Sequence, residues 1–453
     1  MFIISRNSVI VALTILMLAS PLMAQQTPAA TKPKAPVQSI AELESQAAQA
    51  AQDENWVRMY SVSMKLHKQR PFTSEYMLNI VLASARLGQT QTALHFMMKM
   101  QQQGLSYDIS SFDGTDPIHD TEAYEYINNL MIKAGDPVGE GTHVLTLDVE
   151  PGDLGDLAWD KSRECFLVGT RSEGKLLAVD DNGQSEVLLQ ANDENGLWSI
   201  NGITVDLERQ RLWIASSATP AFASFTAGDK NHSSLFEFKL DTLELVGRYN
   251  LPVDGLVHEL GSIALTQAGD VYVVDRAVPI IFRKTADGDK LEAFAGGPQL
   301  LALTDIAVTP DNSRIFVSDV VLGILLIDPE ARRSAMLSGP ETLNLSGIYG
   351  IEYEDGNVIV TQSGLSPQRL MRLKISANGA DVETVLPMAS SLDGFDTPGA
   401  GTLRDGNIYY FANHGSASAD KLLLMKTPLT AGVESKPPDV RQFEEALRKA
   451  SQQ

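Results

Sequence analysis

The sequence predicts a mainly β protein: a six-bladed β-propeller over residues 142–430, preceded by a small α-helical module over residues 39–135. Three observations carry this. A strand–turn–strand unit recurs six times, starting at Leu154, Ile200, Leu260, Leu303, Ile348 and Pro398. These starts lie 46, 60, 43, 45 and 50 residues apart, which is the spacing of propeller blades. A spare strand, THVLTLDV from Thr142 to Val149, precedes the first copy, while the sixth copy is one strand short.

The chain opens on MFIISRNSVIVALTILMLASPLMAQQ. Arg6 supplies a positive n-region, Val9 to Leu18 is an apolar run too short to cross a bilayer, and Leu22-Met23-Ala24 offers a small-residue cleavage site. Residues 1–24 therefore read as a signal peptide, with export to a periplasm or beyond the cell and no membrane span after cleavage. Residues 25–38 contain the proline-rich tether QQTPAATKPKAPV. Formal net charge is -21. Such acidity repels phosphate and argues against nucleic acid or an anionic membrane surface as partner. Cys165 is the single cysteine, so no internal disulfide can form, and its apolar run RECFLVG makes it a core residue.

Helical patterning starts at Ser39, which forms an S-x-x-E capping box with Glu42. Between Pro71 and Gly104, Tyr76, Leu78, Val81, Leu82 and Leu87 keep helical spacing, and Gly88 ends that helix. Ala93, Leu94, Met97 and Met98 begin a second apolar face, with Met97, Met98 and Met100 read as helix core. Two helices with L-G at the turn and A-L after it resemble a tetratricopeptide repeat, with Asn55 to Gln69 as a partial neighbour. That resemblance implies a surface for a protein partner. A plain helical hairpin packed on the next domain is the alternative.

From Thr142 the period becomes that of strands. Each hairpin has a small residue, an alternating apolar strand, a turn rich in Asp, Gly and Asn, and a second strand. Third strands follow in all six copies, from GKLLAVD to KLLLMKTPL, and a fourth in the first five. If Thr142 to Val149 completes the sixth blade, the ring closes without an exposed edge. The segment 438–453 reads as a short C-terminal helix capped by Asp439.

Trp159 in LAWD, the NGITVD of Asn201 to Asp206 and the repeated hairpins resemble the senescence-marker-protein/gluconolactonase propellers, with strictosidine-synthase-like and NHL-type propellers as cousins. The resemblance covers roughly Thr142 to Thr430. It implies one divalent cation, calcium or zinc, held near the channel mouth by a Glu, an Asn and an Asp at the heads of first strands. Carried onto this chain, the Glu position falls on Gly155, the Asn position on Asn201 and the Asp position on Thr304. Asp156 and Asp305 each sit one residue later, where a strand turns the side chain to the opposite face unless a bulge intervenes.

In a propeller, the loop before the first strand and the loop after the second open on one face. Residues at those places are Asn201, His258, Glu259, Asp275, Arg276, Asp319, Gln362 and His414, with Arg171 as an outlier. Asp319, His414 and Asp275 are the candidates for acid–base chemistry. Asn201, His258, Glu259, Arg276 and Gln362 are the candidates for binding a ligand, and Asn201 with Asp319 for holding a cation. The alternative for strand-end Asp and Asn is a turn cap. The loop Ser217 to Ser234 should overhang the same mouth as a lid, a partner-binding loop or a tolerated insertion. The reading that follows is an exported propeller binding a small polar ligand or a peptide at its mouth, its helices engaging a protein. The alternative is a metal-dependent hydrolase of lactones or esters.

Overall fold

The computed structural model describes residues 38 to 432. The expected signal peptide and tether up to residue 37, and the C-terminal helix over 438–453, lie outside the described residues. Six antiparallel sheets form the blades of a propeller, as the repeat spacing predicts. Their innermost strands are Leu154–Asp160, Ser199–Asp206, Leu260–Leu265, Leu303–Val308, Ile348–Glu354 and Gly401–Arg404, for blades 1 to 6 in that order. Several turns between first and second strands need left-handed backbone. In blades 5 and 6, Asp355-Gly356 and Asp405-Gly406 take positive φ at both positions, joining Glu354 to Asn357 and Arg404 to Asn407 as two-residue hairpins.

The spare strand does close the ring. Thr142–Leu147 pairs antiparallel with Leu422–Pro428 as the outer strand of blade 6. Six apolar clusters show why closure is favourable, because each is shared between neighbouring blades. Blades 1 and 2 share Leu167, Leu176, Ile200 and Ile214. Blades 6 and 1 share Phe411, Leu424, Phe166 and Val168, together with Leu145 and Leu147 of the closing strand. Cys165 is buried in the first of these, as its sequence context predicts.

Five helices precede the ring: α1 (Ile40–Gln52), α2 (Trp56–Gln69), α3 (Ser74–Arg86), α4 (Thr90–Gln102) and α5 (Glu122–Lys133). Each packs on the next in chain order. Gly88 has φ 67° and ends α3 as expected. Met97, Met98 and Met100 are buried in the helical core with Ile80, Leu94, Ile127 and Met131. None of the described helices is long and apolar enough to cross a membrane.

The helices are continuous with the propeller, and the described residues from Ile40 form one compact unit. Leu365 of blade 5 enters the helical core, and Phe72, between α2 and α3, packs against the core shared by blades 4 and 5. The Asn344 amide donates to the Phe72 carbonyl and the Gln103 side chain, both at 2.9 Å. Arg369 donates to the Gln103 carbonyl just past α4, at 3.0 Å, where the helix leaves carbonyls without partners. Val138–Gly139, unforeseen in the sequence, pairs with Ala389 and Ser390 as a fifth strand of blade 5. A side chain at Gly139 would stand 1.9 Å from the Met388 carbonyl oxygen, so only glycine permits this pairing.

Candidate functional site at the channel mouth

Second strands end in Asp275, Asp319 and Gln362, opposite Leu260, Leu303 and Ile348. All three are buried. Here the chain leaves the ladder and its N–H groups need other acceptors. One Asp319 oxygen accepts from Leu301 and Ala302 N–H at 2.7 and 3.2 Å, and the other from Val321 and Leu322 N–H at 3.0 Å. Asp275 accepts from the N–H groups of Glu259, Ala277 and Val278 and meets His258 Nδ1 at 2.5 Å. His258 Nε2 meets Asp254 at 3.3 Å. Gln362 donates to the Asn344 and Ser346 carbonyls and accepts from Arg369. These groups, expected as catalytic, ligand-binding or metal-holding, are turn braces. The Asp319 carboxylate in particular has both oxygens doubly occupied by backbone, which leaves no lone pair for a cation beside Asn201.

The heads of the first strands behave differently. In blades 1 to 5 the inner hairpin slips register there, between Leu154 and Asp156, Ile200 and Gly202, Leu260 and Ile263, Leu303 and Ile306, and Ile348 and Gly350. Each slip is a bulge that leaves head residues unpaired. Asn201 is the bulged residue of blade 2. It stands between blade 1, where a Cβ on Gly155 would lie 3.3 Å from its Cα, and blade 3, where Gly261 abuts Gly202. Asn201 is 0% exposed, yet neither its Oδ1 nor its Nδ2 finds a hydrogen-bond partner among the described residues.

Two arginines and a histidine are among the other sequence-predicted residues that the braces leave over. Arg171 pairs with Glu259 at 3.0 Å, reaching from blade 1 to blade 3, and its buried Nε finds no partner among the described residues. Arg276 lies over Gly261, where a Cβ would come within 2.4 Å of its Nε, and makes one long bond of 3.4 Å to the Thr304 carbonyl. His414 rests against Gly399, where a Cβ would lie 2.5 Å from Nδ1. Burial pushes the His414 imidazole down to about 4, with Arg276 and Arg171 adding to the shift, so it is neutral at physiological pH. Arg171, Arg276, His414, Glu259 and Asn201 are thus the sequence-predicted residues that the fold leaves at the mouth.

The family's cation donors do not fit here. A Cβ on Gly155 would stand 1.7 Å from the Ile200 carbonyl oxygen, so no carboxylate side chain can grow from that position. Thr304 Oγ1 is taken up by Ser318 Oγ at 2.7 Å and the Ile348 carbonyl at 3.0 Å. Among the described residues no group of three or more His, Cys, Asp or Glu is placed to hold a metal ion. The expected calcium or zinc therefore has one surviving family ligand, neutral Asn201, which is too weak a set for a divalent ion.

The bulges instead turn Asp156 and Asp305 into the channel below, a cavity of about 340 Å³ that Ser262, Glu352 and Trp159 also line. Asp156 accepts the Ile203 N–H of blade 2 at 2.7 Å, and Asp305 the Ile351 N–H of blade 5 at 2.8 Å and the Ser262 hydroxyl of blade 3. Both carboxyls clasp neighbouring blades. Burial, then the charge of Asp305, raises Asp156 to about 7; burial raises Asp305; burial and both aspartates raise Glu352 well above the carboxylate range. Strict alternation would turn both aspartates away unless a bulge intervened; the bulges are present, and the glycines at strand heads are their signal in the sequence. The loop Ser217 to Ser234 leans toward blade 1, with the Ala223 N–H bonded to the Ser172 carbonyl at 2.7 Å.

No family model and no curated protein matches this chain. Solved structures that resemble it include a gluconolactonase from Xanthomonas campestris, 14% identical over 65% of this chain and 90% of that one, with a TM-score of 0.44. A luciferin-regenerating enzyme is 11% identical over 67% of this chain and 99% of that one, at 0.46. An oxidoreductase of the glucose dehydrogenase type from Thermus thermophilus is 16% identical over 63% of this chain and 99% of that one, at 0.44. The likeness is one of fold, a β-propeller among gluconolactonase-like and sugar-dehydrogenase-like neighbours, and it assigns no activity.

Proposed function

We propose that this protein is a binding protein whose propeller mouth takes a small polar ligand, and that the N-terminal targeting pattern delivers it outside the cytoplasm. The observation that carries the reading is Asn201, a fully buried side-chain amide without a partner among the described residues. An unsatisfied buried polar group costs about 1–3 kcal/mol. A fold retains such a penalty most readily where function uses the group. Arg171, Arg276 and His414 supply further polar contacts at the same mouth. The hydrolase of lactones or esters draws no support from the donor set, because its metal would rest on Asn201 alone.

The test needs no knowledge of the ligand. Asn201→Ala removes an amide that makes no internal bond, so chemical unfolding should show stability unchanged or raised by up to about 1 kcal/mol. Ligands found by thermal-shift screening of small polar metabolites should lose their effect in the same variant. A loss of stability above about 1 kcal/mol would mean that the amide is an internal structural partner, and the reading would fail.

A further inference from the structure

Resting on that reading of the mouth, we infer that the ligand is an anion, a small organic carboxylate gripped by Arg171 and Arg276 with Asn201 beside it. Charge at the mouth points this way. Among the described residues Glu259 is the single carboxylate in an ion pair with these two guanidinium groups, through Arg171, while Asp153 is turned onto the backbone N–H groups of Arg171 and Ser172. The neighbouring Asp275 is already taken up by His258 and three backbone N–H groups. Arg276 makes no ion pair among the described residues and has a single long hydrogen bond. The buried Nε of Arg171 is likewise a donor without an acceptor among the described residues. What the mouth lacks is therefore an acceptor that carries negative charge.

The surroundings preserve this imbalance. His414 is held neutral by burial and by the same two arginines, so it adds no competing cation; its ring N–H goes to the Leu154 carbonyl, and its other nitrogen can accept from a ligand hydroxyl. The channel carboxyls Asp156 and Asp305 are turned onto the Ile203 and Ile351 N–H groups and the Ser262 hydroxyl, and neither forms an ion pair with Arg276. At the positions where the resembling family places two acids for a cation, this chain has Gly155 and Thr304. The sign of the site is inverted. Paired guanidinium forks match the planar two-oxygen geometry of a carboxylate, and charge-assisted bonds of this kind are about twice as strong as neutral ones. The Asn201 amide, both donor and acceptor, suits a hydroxyl next to that carboxylate. On a protein of net charge -21, such a mouth is a local reversal that concentrates small anions.

The experiment is calorimetric titration of the full chain at low salt with L-malate, inorganic phosphate, D-sorbitol and calcium ion. Malate should bind. Asn201→Ala and Arg276→Met should each weaken it about tenfold or more, equivalent to about 1.4 kcal/mol, and Arg276→Lys should recover part of the loss. Rising ionic strength should weaken it as well. Circular dichroism confirms folding of each variant, and the lysine variant keeps the test valid should the methionine variant fail to fold. Sorbitol binding that depends on Asn201 but not on Arg276 would overturn the anion while leaving the mouth as a binding site. Phosphate bound in preference to malate would overturn the carboxylate. Stoichiometric calcium lost in Asn201→Ala would overturn the inverted charge. A mouth that takes none of the four probes overturns the inference too, and Asn201→Ala stability then judges the binding reading separately.

Discussion

Glu352 faces the channel with Asp156 and Asp305 close by, and all three carboxyls sit above their usual range. A raised carboxyl pKa means that the folded state holds protons the unfolded chain has already released. The stability it confers is full below the unfolded value and is lost as pH rises through the folded one. For Asp156 that window runs from 3.8 to about 7. His414 works in the opposite sense: its imidazole is depressed from 6.5 to about 4, so the stability of its neutral form is present above that range and lost as pH falls through it. Glu352→Gln should therefore raise the melting temperature at about pH 8 and change little at about pH 4, read by thermal unfolding across that range. An equal shift at both ends would show that the carboxyl is ionised throughout. The braces obey a different rule. Asp319→Ala strands four partly buried backbone N–H groups and should lower unfolding free energy by about 1–3 kcal/mol in urea titration, whereas Asn201→Ala should not lower it.

At the level of strands, much of the fold was legible. Hairpin starts read from the sequence at Leu154, Leu260, Leu303 and Ile348 coincide with the observed strands, and Ile200 is one residue late. Alternating apolar residues and Asp-Gly turns are local signals, and local signals survive in one sequence. The sixth hairpin's regular ladder begins at Gly401, opposite Tyr410, rather than at Pro398, although the Gly399 N–H already bonds to the Phe411 carbonyl at 3.0 Å. The site was less legible for one physical cause. Bulges at the strand heads break the period of two on which facing direction is judged, and burial of the unpaired N–H groups recruits acids such as Asp156 as acceptors. The braces were foreseen only as an alternative, since an Asp at a strand end has the same letter whether it caps a turn or meets a ligand. The bulge also fixes what cannot be rebuilt. Gly155→Glu combined with Thr304→Asp restores the family's letters but drives a Cβ toward the Ile200 carbonyl oxygen, 1.7 Å away before any shift. That double variant should lose about 2–4 kcal/mol of stability and gain no calcium affinity by calorimetry. Tight calcium binding by a folded variant would show that the blade 1 head is plastic.

The whole molecule is held by two closures of different kinds. The ring closes through Thr142–Leu147 in blade 6, with Leu145 and Leu147 entering the core between blades 6 and 1. The helices close onto blade 5, where the sequence suggested a separable partner-binding module. Deleting residues 38–135 would leave Leu365 without its helical core and remove Phe72 from the core between blades 4 and 5. It would also take the Gln103 and Gly104 carbonyls from Arg369, which is 6% exposed, has no carboxylate partner among the described residues, and already has one Nη without a partner. Burial lowers that guanidinium to about 10, a sign of how much it depends on the surrounding carbonyls and amide. A buried charge stripped of its acceptors is destabilising by about 3–5 kcal/mol. The damage should be local, because each blade shares its apolar core only with its neighbours. Hydrogen exchange on the deletion variant should lose protection in Arg369–Ile375 and Val382–Ser390 of blade 5, while Phe166 to Val168 of blade 1 and Ile214 of blade 2 stay protected. Adding Arg369→Met should restore part of the stability of the truncated protein, since it removes the stranded charge, yet should destabilise the intact chain. Wild-type protection throughout blade 5 after deletion would instead make the helices a detachable module, as a partner-binding array requires.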